Sequence, residues 1–219
     1  MPPVKRTVLT LVAVAAVLVT AVPAGAKQSD SAIAKQGLIR KSDLGPGWTA
    51  KKHKDSKPSG VAACKPTEAV VAKTKKYRQS SPDFAQGQAA LIQNTVSVFP
   101  KPAQAAAFLA PYQLETTATC LQQGAEKNLP GAAVAVQPLD LSDAIQARSG
   151  TVDDAVGYEL HVTAPQSGNP IPVEVYFIAV ALRSGRAVIG YTFQSQDQPF
   201  ADVDTVVDAT LTRLVTALG

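Results

Sequence analysis

Histidine, cysteine, tryptophan and methionine are scarce in this chain of 219 residues, which has two, two, one and one of them. Only His53 and His161 could serve as imidazole bases, and neither GxSxG nor HExxH occurs. Those shortages argue against a histidine-based hydrolase and against a zinc centre, so no catalytic residue, cofactor or metal is assigned and the chain is not read as an enzyme. Aromatic residues make up 5% of the chain. Near the lysine-rich segment only Trp48 and Tyr77 are aromatic, too few to interleave with the basic side chains as a nucleic-acid platform would require. After residue 22 no long apolar run recurs, and no internal repeat interrupts the order.

What is present begins with an address. Lys5 and Arg6 precede an apolar run over 8–22, Pro23 breaks it, and Ala24-Gly25-Ala26 follows, the pattern of a secretory signal peptide over 1–26. The run is short for a bilayer span, so a released extracytoplasmic domain over 27–219 is expected, with retention of the signal as an anchor left open. In that compartment two cysteines read as one disulfide, Cys64 to Cys120, with two buried thiols as the alternative.

Charge is uneven. Residues 27–78 carry 13 Lys or Arg against 4 Asp or Glu, whereas 79–219 carry 6 against 13. The basic front includes Lys51, Lys52, Lys54, Lys57, Lys73, Lys75, Lys76 and Arg78. It either complements the acidic body or meets an envelope polyanion such as anionic lipid or teichoic polymer. The acids Asp140, Asp143, Asp153 and Asp154 fall in one stretch whose spacing matches no calcium loop, and they are read as solvated.

Periodicity predicts a short helix over 31–40 capped by Ser31 or Asp30, an extended stretch from Trp48, a helix over 65–78, and irregular chain over 79–88. Alternation of Ile92, Val96 and Val98 with polar residues predicts a strand ended by Pro100. A helix over 101–123, split or kinked at Pro111, leads to a strand at Val134 and Val136 and an acidic loop over 140–154. Strands over 156–163, 173–182 and 187–195 form a meander, and a helix over 201–218 closes the chain with an apolar stripe from Val203 to Leu218. The class is α+β: a single, mostly antiparallel sheet of about five to six strands with helices packed on one face.

Gly45-Pro-Gly47-Trp-Thr-Ala50 formally satisfies GxGxxA, but no buried strand precedes it and no helix follows, so a dinucleotide loop is rejected. Gly-Pro-Gly is read as a turn that delivers Trp48 to the core.

Four stretches taken in order resemble a known family. They are Leu38-Ile-Arg-Lys-Ser-Asp-Leu-Gly-Pro-Gly-Trp48; Thr95-Val-Ser-Val-Phe99 with Ala105-Ala-Ala-Phe108 and Cys120; Asp153-Asp-Ala-Val-Gly157; and Arg186-Ala-Val-Ile189. The chain is similar to the extracytoplasmic sensor domain of the mycobacterial serine/threonine protein kinase H and its secreted or lipoprotein relatives in actinobacteria. The resemblance implies a binding or sensing module without established catalytic residues, and it carries over no site.

A candidate site follows from the two hairpins. With a tight turn at 183–186, Ile178 lies opposite Tyr191, Tyr176 opposite Phe193 and Val180 opposite Ile189. Tyr158, Leu160 and Val162 join this apolar face by alternation, and helices should cover it. The other face then holds small residues, Ala179 and Gly190 among them, with Glu159, His161, Phe177, Thr192 and Gln194. These five residues are the expected contacts of a small envelope ligand.

Overall fold

The computed structural model describes residues 28–54, 76–166, 169–201 and 203–219. The signal segment therefore lies outside the described residues, as do Cys64, Lys57, Lys73, Lys75 and most of the helix expected over 65–78. No described cysteine is free. No described helix is long and apolar enough to cross a membrane.

The described residues form one antiparallel sheet of eight strands and five helices, α+β as expected but with more strands than the sequence suggested. In chain order the elements are α1 (Asp30–Gln36), β1 (Thr49–Lys51), β2 (Tyr77–Ser80), β3 (Asp83–Gln86), β4 (Ala90–Val98), α2 (Pro102–Leu109), α3 (Glu115–Asn128), β5 (Ala133–Pro138), α4 (Ser142–Ala147), β6 (Asp154–Gln166), β7 (Asn169–Ser184), β8 (Ala187–Gln196) and α5 (Val203–Leu218). The sheet order is β1-β3-β4-β8-β7-β6-β5, and β2 pairs with β4 beyond the end of β3.

The extra strands are short and polar. β1, β2 and β3 have three or four residues each, too few for alternation to show, so Tyr77–Ser80 is strand where a helix end was expected and Asp83–Gln86 is strand where the chain was read as irregular. The loop expected over 164–172 is mostly strand as well, because β6 and β7 run on to 166 and from 169 despite Pro165, Pro170 and Pro172. The acidic stretch over 140–154 contains α4. Pro111 does split the helix it follows: α2 ends at Leu109, a 3-10 turn spans Ala110–Gln113, and α3 starts at Glu115. The cap of α1 is Ser29, whose hydroxyl accepts from Ala32 N–H, rather than Ser31 or Asp30.

One sheet face holds the main core. Ile92, Val96, Val180, Leu182, Ile189, Tyr191 and Phe193 pack there with Ile33 and Ala34 of α1 and with Val206, Val207, Leu211 and Leu214 of α5. Each fully buried aliphatic or aromatic side chain contributes about 1.5–3 kcal/mol, so this layer holds the fold together. Helices do not stay on that face. Val188, Val156 and Ala181, which alternate to the opposite side, pack with Ala105, Phe108 and Leu109 of α2.

Trp48 completes the core at one end. Gly47 has φ +90, which a glycine adopts without strain, and it turns Trp48 inward to 8% exposure. The indole lies 6.0 Å from the Phe200 ring, which in turn lies 5.1 Å from Phe193. Gly37 is required for closeness rather than for φ. A Cβ there would stand 3.0 Å from Val96 and 3.3 Å from Leu214, where α1, β4 and α5 meet.

Candidate functional site

The pairing of β6, β7 and β8 decides which side chains can share a ligand. The turn between β7 and β8 pairs Ser184 with Ala187, so Ile178 faces Phe193, Val180 faces Tyr191 and Leu182 faces Ile189. This is two residues off the expected register. A shift of two preserves the face of every residue, so β7 and β8 present the sides that alternation predicts.

β6 does not follow. Tyr158 pairs with Ala179, Leu160 with Phe177 and Val162 with Val175, whereas Glu159 pairs with Ile178 and His161 with Tyr176. Tyr158, Leu160 and Val162 therefore lie on the α2 side, and Glu159 and His161 lie on the α5 side with the main core. The five expected contacts are thus divided: Phe177, Thr192 and Gln194 share one face, and Glu159 and His161 share the other. They do not form one surface.

On the α2 side, Phe177 pairs with Gln194 and Ala179 with Thr192, and the latter pair continues to Gln93 of β4. Gly190 lies between Ala181 and Thr95. α2 packs at the Val188 end of this floor, and α3, whose Thr117 and Leu121 are buried, packs by β5. Between them Phe177, Ala179, Gly190, Thr192 and Gln194 are half-buried. Among the described residues, no atom lies within 4 Å of where a Cβ on Gly190 would stand. Hydroxyls and amides thus line a floor relieved by small residues. Arg78 and Lys51 lie on the same side, since they pair with Ser97 and Asp83.

The other half of the expected site sits on the core-side face of β6 and β7. His161 stacks on Tyr176 with centroids 4.4 Å apart and planes 7° from parallel. The Tyr176 hydroxyl donates to Glu174 at 3.1 Å, Gln137 donates to Glu159 at 3.1 Å, and His161 Nε2 lies 3.7 Å from Glu174. Desolvation, and then the carboxylates of Glu174, Glu159 and Asp197, hold the Tyr176 phenol above its ordinary value. The result is an acidic patch around an aromatic pair. Among the described residues, no group of three or more His, Cys, Asp or Glu side chains could hold a metal ion.

A third feature had no signal in the sequence. A cavity of about 310 Å3 opens at the sheet edge, lined by Gln113, Leu114 and Glu115 above and by Pro138, Leu139 and the 155–158 stretch of β6 below.

The stretches that carry the family resemblance turn out to be structural locks. Asn94, 2% exposed, accepts from Ile39 N–H at 2.9 Å and donates to Gly37 C=O at 2.7 Å, holding the exit of α1. Asp153 accepts from Gly185 N–H at 2.6 Å and from Arg183 at 3.0 Å, closing the β7–β8 turn. Arg186 donates to Asp30 at 2.7 Å and to Phe99 C=O at 3.0 Å. Residues so engaged hold the frame and are not free for a ligand.

No protein-family model matches the chain, and no curated protein matches it. Among solved structures, it is similar to the extracellular domain of PknH from Mycobacterium tuberculosis, with a TM-score of 0.52, 10% identity, and coverage of 88% of this chain and 97% of that one. It is more distantly similar to an uncharacterized protein from Mycobacterium smegmatis, with a TM-score of 0.37, 13% identity, and coverage of 88% and 96%. At such identity the first likeness is one of fold.

Proposed function

We propose that this chain is a non-catalytic binding module of sensor type that works outside the cytoplasm. Its ligand lies across the sheet face between α2 and α3, in contact with Phe177, Thr192 and Gln194. The observation that carries this reading is the small-residue floor at Ala179 and Gly190, where among the described residues no atom stands within 4 Å of a Cβ placed on Gly190, flanked by hydroxyl and amide side chains. The shared fold with an extracellular kinase domain supports the compartment and the sensor class. Glu159 and His161 are not part of this contact.

Gly190→Leu tests it. Among the described residues no atom lies within 4 Å of where the leucine Cβ would stand, so the variant should fold with a melting midpoint close to that of wild type. Wild type and variant are incubated with an envelope extract of the native host, washed, and analysed for retained small molecules by mass spectrometry. A compound held by wild type and lost in Gly190→Leu is expected. Equal retention by both, or none by either, overturns the site.

A second reading is polyanion binding. Lys51 and Arg78 border the same floor and take no part in the described ion pairs, and Lys52 and Lys54 are exposed nearby. Binding to anionic vesicles that falls as salt is raised, and falls again in Lys51→Gln with Arg78→Gln, is expected on this reading. Salt-insensitive or absent binding removes it.

A further inference from the structure

The cavity at the sheet edge stands where β5 would continue if it ran further. β5 stops at Pro138, which pairs with Tyr158, and Leu139 N–H makes the last rung to Gly157 C=O at 2.9 Å. The chain then curls across the core face. There the Cδ1 atoms of Leu139 and Leu141 would each lie 3.1 Å from a Cβ on Gly157, so a larger residue would push both side chains outward by a few tenths of an ångström. β6 itself continues to Asp154, and among the described residues no strand neighbours its edge from Gly157 back to Ala155.

That edge still carries backbone groups. Residues of β6 in step with Gly157 point their N–H and C=O toward the β5 side, as its bond with Leu139 shows. Ala155 N–H is met by the Asp154 carboxylate at 3.0 Å, which also accepts from Gln113 at 2.8 Å. Among the described residues, Gly157 N–H has no acceptor and Ala155 C=O has no donor. A strand edge with a free donor and a free acceptor is the element that peptides recognise by strand addition.

The walls fit the same occupant. The Tyr158 hydroxyl donates to Tyr112 C=O and so anchors the turn before α3 above the edge. Leu114, 47% exposed, overhangs the cavity, and Leu139, Val156 and Tyr158 line it with Pro138. An apolar recess of about 310 Å3 beside a free strand edge takes one apolar side chain while the edge takes its backbone.

We infer that this cavity is a docking slot for an extended peptide of a partner protein. One peptide residue sits opposite Val156, donates its N–H to Ala155 C=O, and accepts from Gly157 N–H at its own carbonyl, the pattern of a parallel ladder. Its apolar side chain enters the recess under Leu114. The slot is separate from the floor around Gly190 and does not depend on the ligand proposed there.

The test uses N-acetyl-leucine-N′-methylamide, the smallest probe with that backbone pair and an apolar side chain, titrated into the ¹⁵N-labelled protein. Saturable shifts at Val156, Gly157 and Leu114 are expected. The analogue methylated at the leucine nitrogen loses the donor and should bind about tenfold more weakly. Leu114→Asp should abolish the shifts. Leu114 is the N-cap of α3 and has no side-chain cap bond, a position where aspartate is favoured, so that variant should fold. An absence of saturable shifts, shifts centred elsewhere, or equal affinity for the methylated analogue would each overturn the inference.

Discussion

Arg213 and Asp43 stand 170 residues apart in the chain and are joined by two hydrogen bonds of 2.7 and 2.9 Å. Arg213 also donates to Leu38 C=O at 3.0 Å and to Gln36 C=O at 3.1 Å, so one guanidinium from α5 gathers the chain between α1 and Trp48. The Asp43 side chain is 7% exposed, and little solvent is left to screen the pair. Removing one member would strand the other. Asp43→Ala should cost about 2–3 kcal/mol in urea denaturation, and Arg213→Lys should cost part of that because an ammonium cannot reproduce the fork. A change under about 0.5 kcal/mol in both would show that the pair does not hold the α1 exit.

Trp48→Ala should remove about 3 kcal/mol or more, because the indole fills the end of the core against Phe200. Trp48→Phe should cost less. Thermal unfolding followed by far-UV circular dichroism reads both variants, and an unchanged midpoint in Trp48→Ala would mean that the Gly-Pro-Gly turn does not serve to place it.

Tyr191 supplies a pH dependence. Burial pushes its phenol well above its ordinary value of 10.0, with the hydroxyl bonded to Thr210 in the core. The folded state therefore keeps this proton at pH values where the unfolded chain has lost it. Stability on its account is fully present below about pH 10 and falls as pH rises beyond it. Tyr191→Phe should cost about 1 kcal/mol near neutrality and flatten the alkaline decline. Thr210 would keep its bonds to Val206 and Val207 carbonyls in that variant. Denaturant midpoints across the alkaline range give the profile, and identical slopes for both proteins would exclude Tyr191 as the cause.

Glu159→Gln combined with His161→Ala should leave retention of any Gly190-dependent ligand unchanged, because both side chains project from the opposite face. The same variant should remove the stack on Tyr176 and lower its phenol toward the ordinary value, which ultraviolet titration would show. Loss of the ligand in this double variant would place the binding surface on the acidic patch instead.

Much of this fold can be read from local pattern. Alternation reveals β4, the helical stripe reveals α5, Pro111 divides α2 from α3, and Gly-Pro-Gly marks the turn before Trp48, because each depends on residues within a few positions of one another. β7 and β8 belong with them: a two-residue connection ties their faces together, and even an error of two in register leaves every side chain on its proper side. The short strands β1 to β3 escaped because three or four polar residues carry no period.

The candidate site failed at the one joint where local pattern has no hold. Between β6 and β7 the chain passes residues 164–172, read as a long loop, where strand pairing in fact continues and the register shifts between Ala164 and Gln166. Across such a joint a change of one residue exchanges the two faces, and nothing in the alternation of either strand records the choice. Both faces of β6 are acceptable as sequence, Tyr158-x-Leu160-x-Val162 on one and Glu159-x-His161 on the other. Only packing decides between them. Tyr158 and Val162 are buried on the α2 and α3 side, and Gly157 admits Leu139 and Leu141 on the other. The sequence alone determined the longer patterned elements, β4, β7, β8 and α5 among them, and the apolar partner faces of β7 and β8; the tertiary structure decided which side of β6 meets which helix, because that depends on contacts made far along the chain.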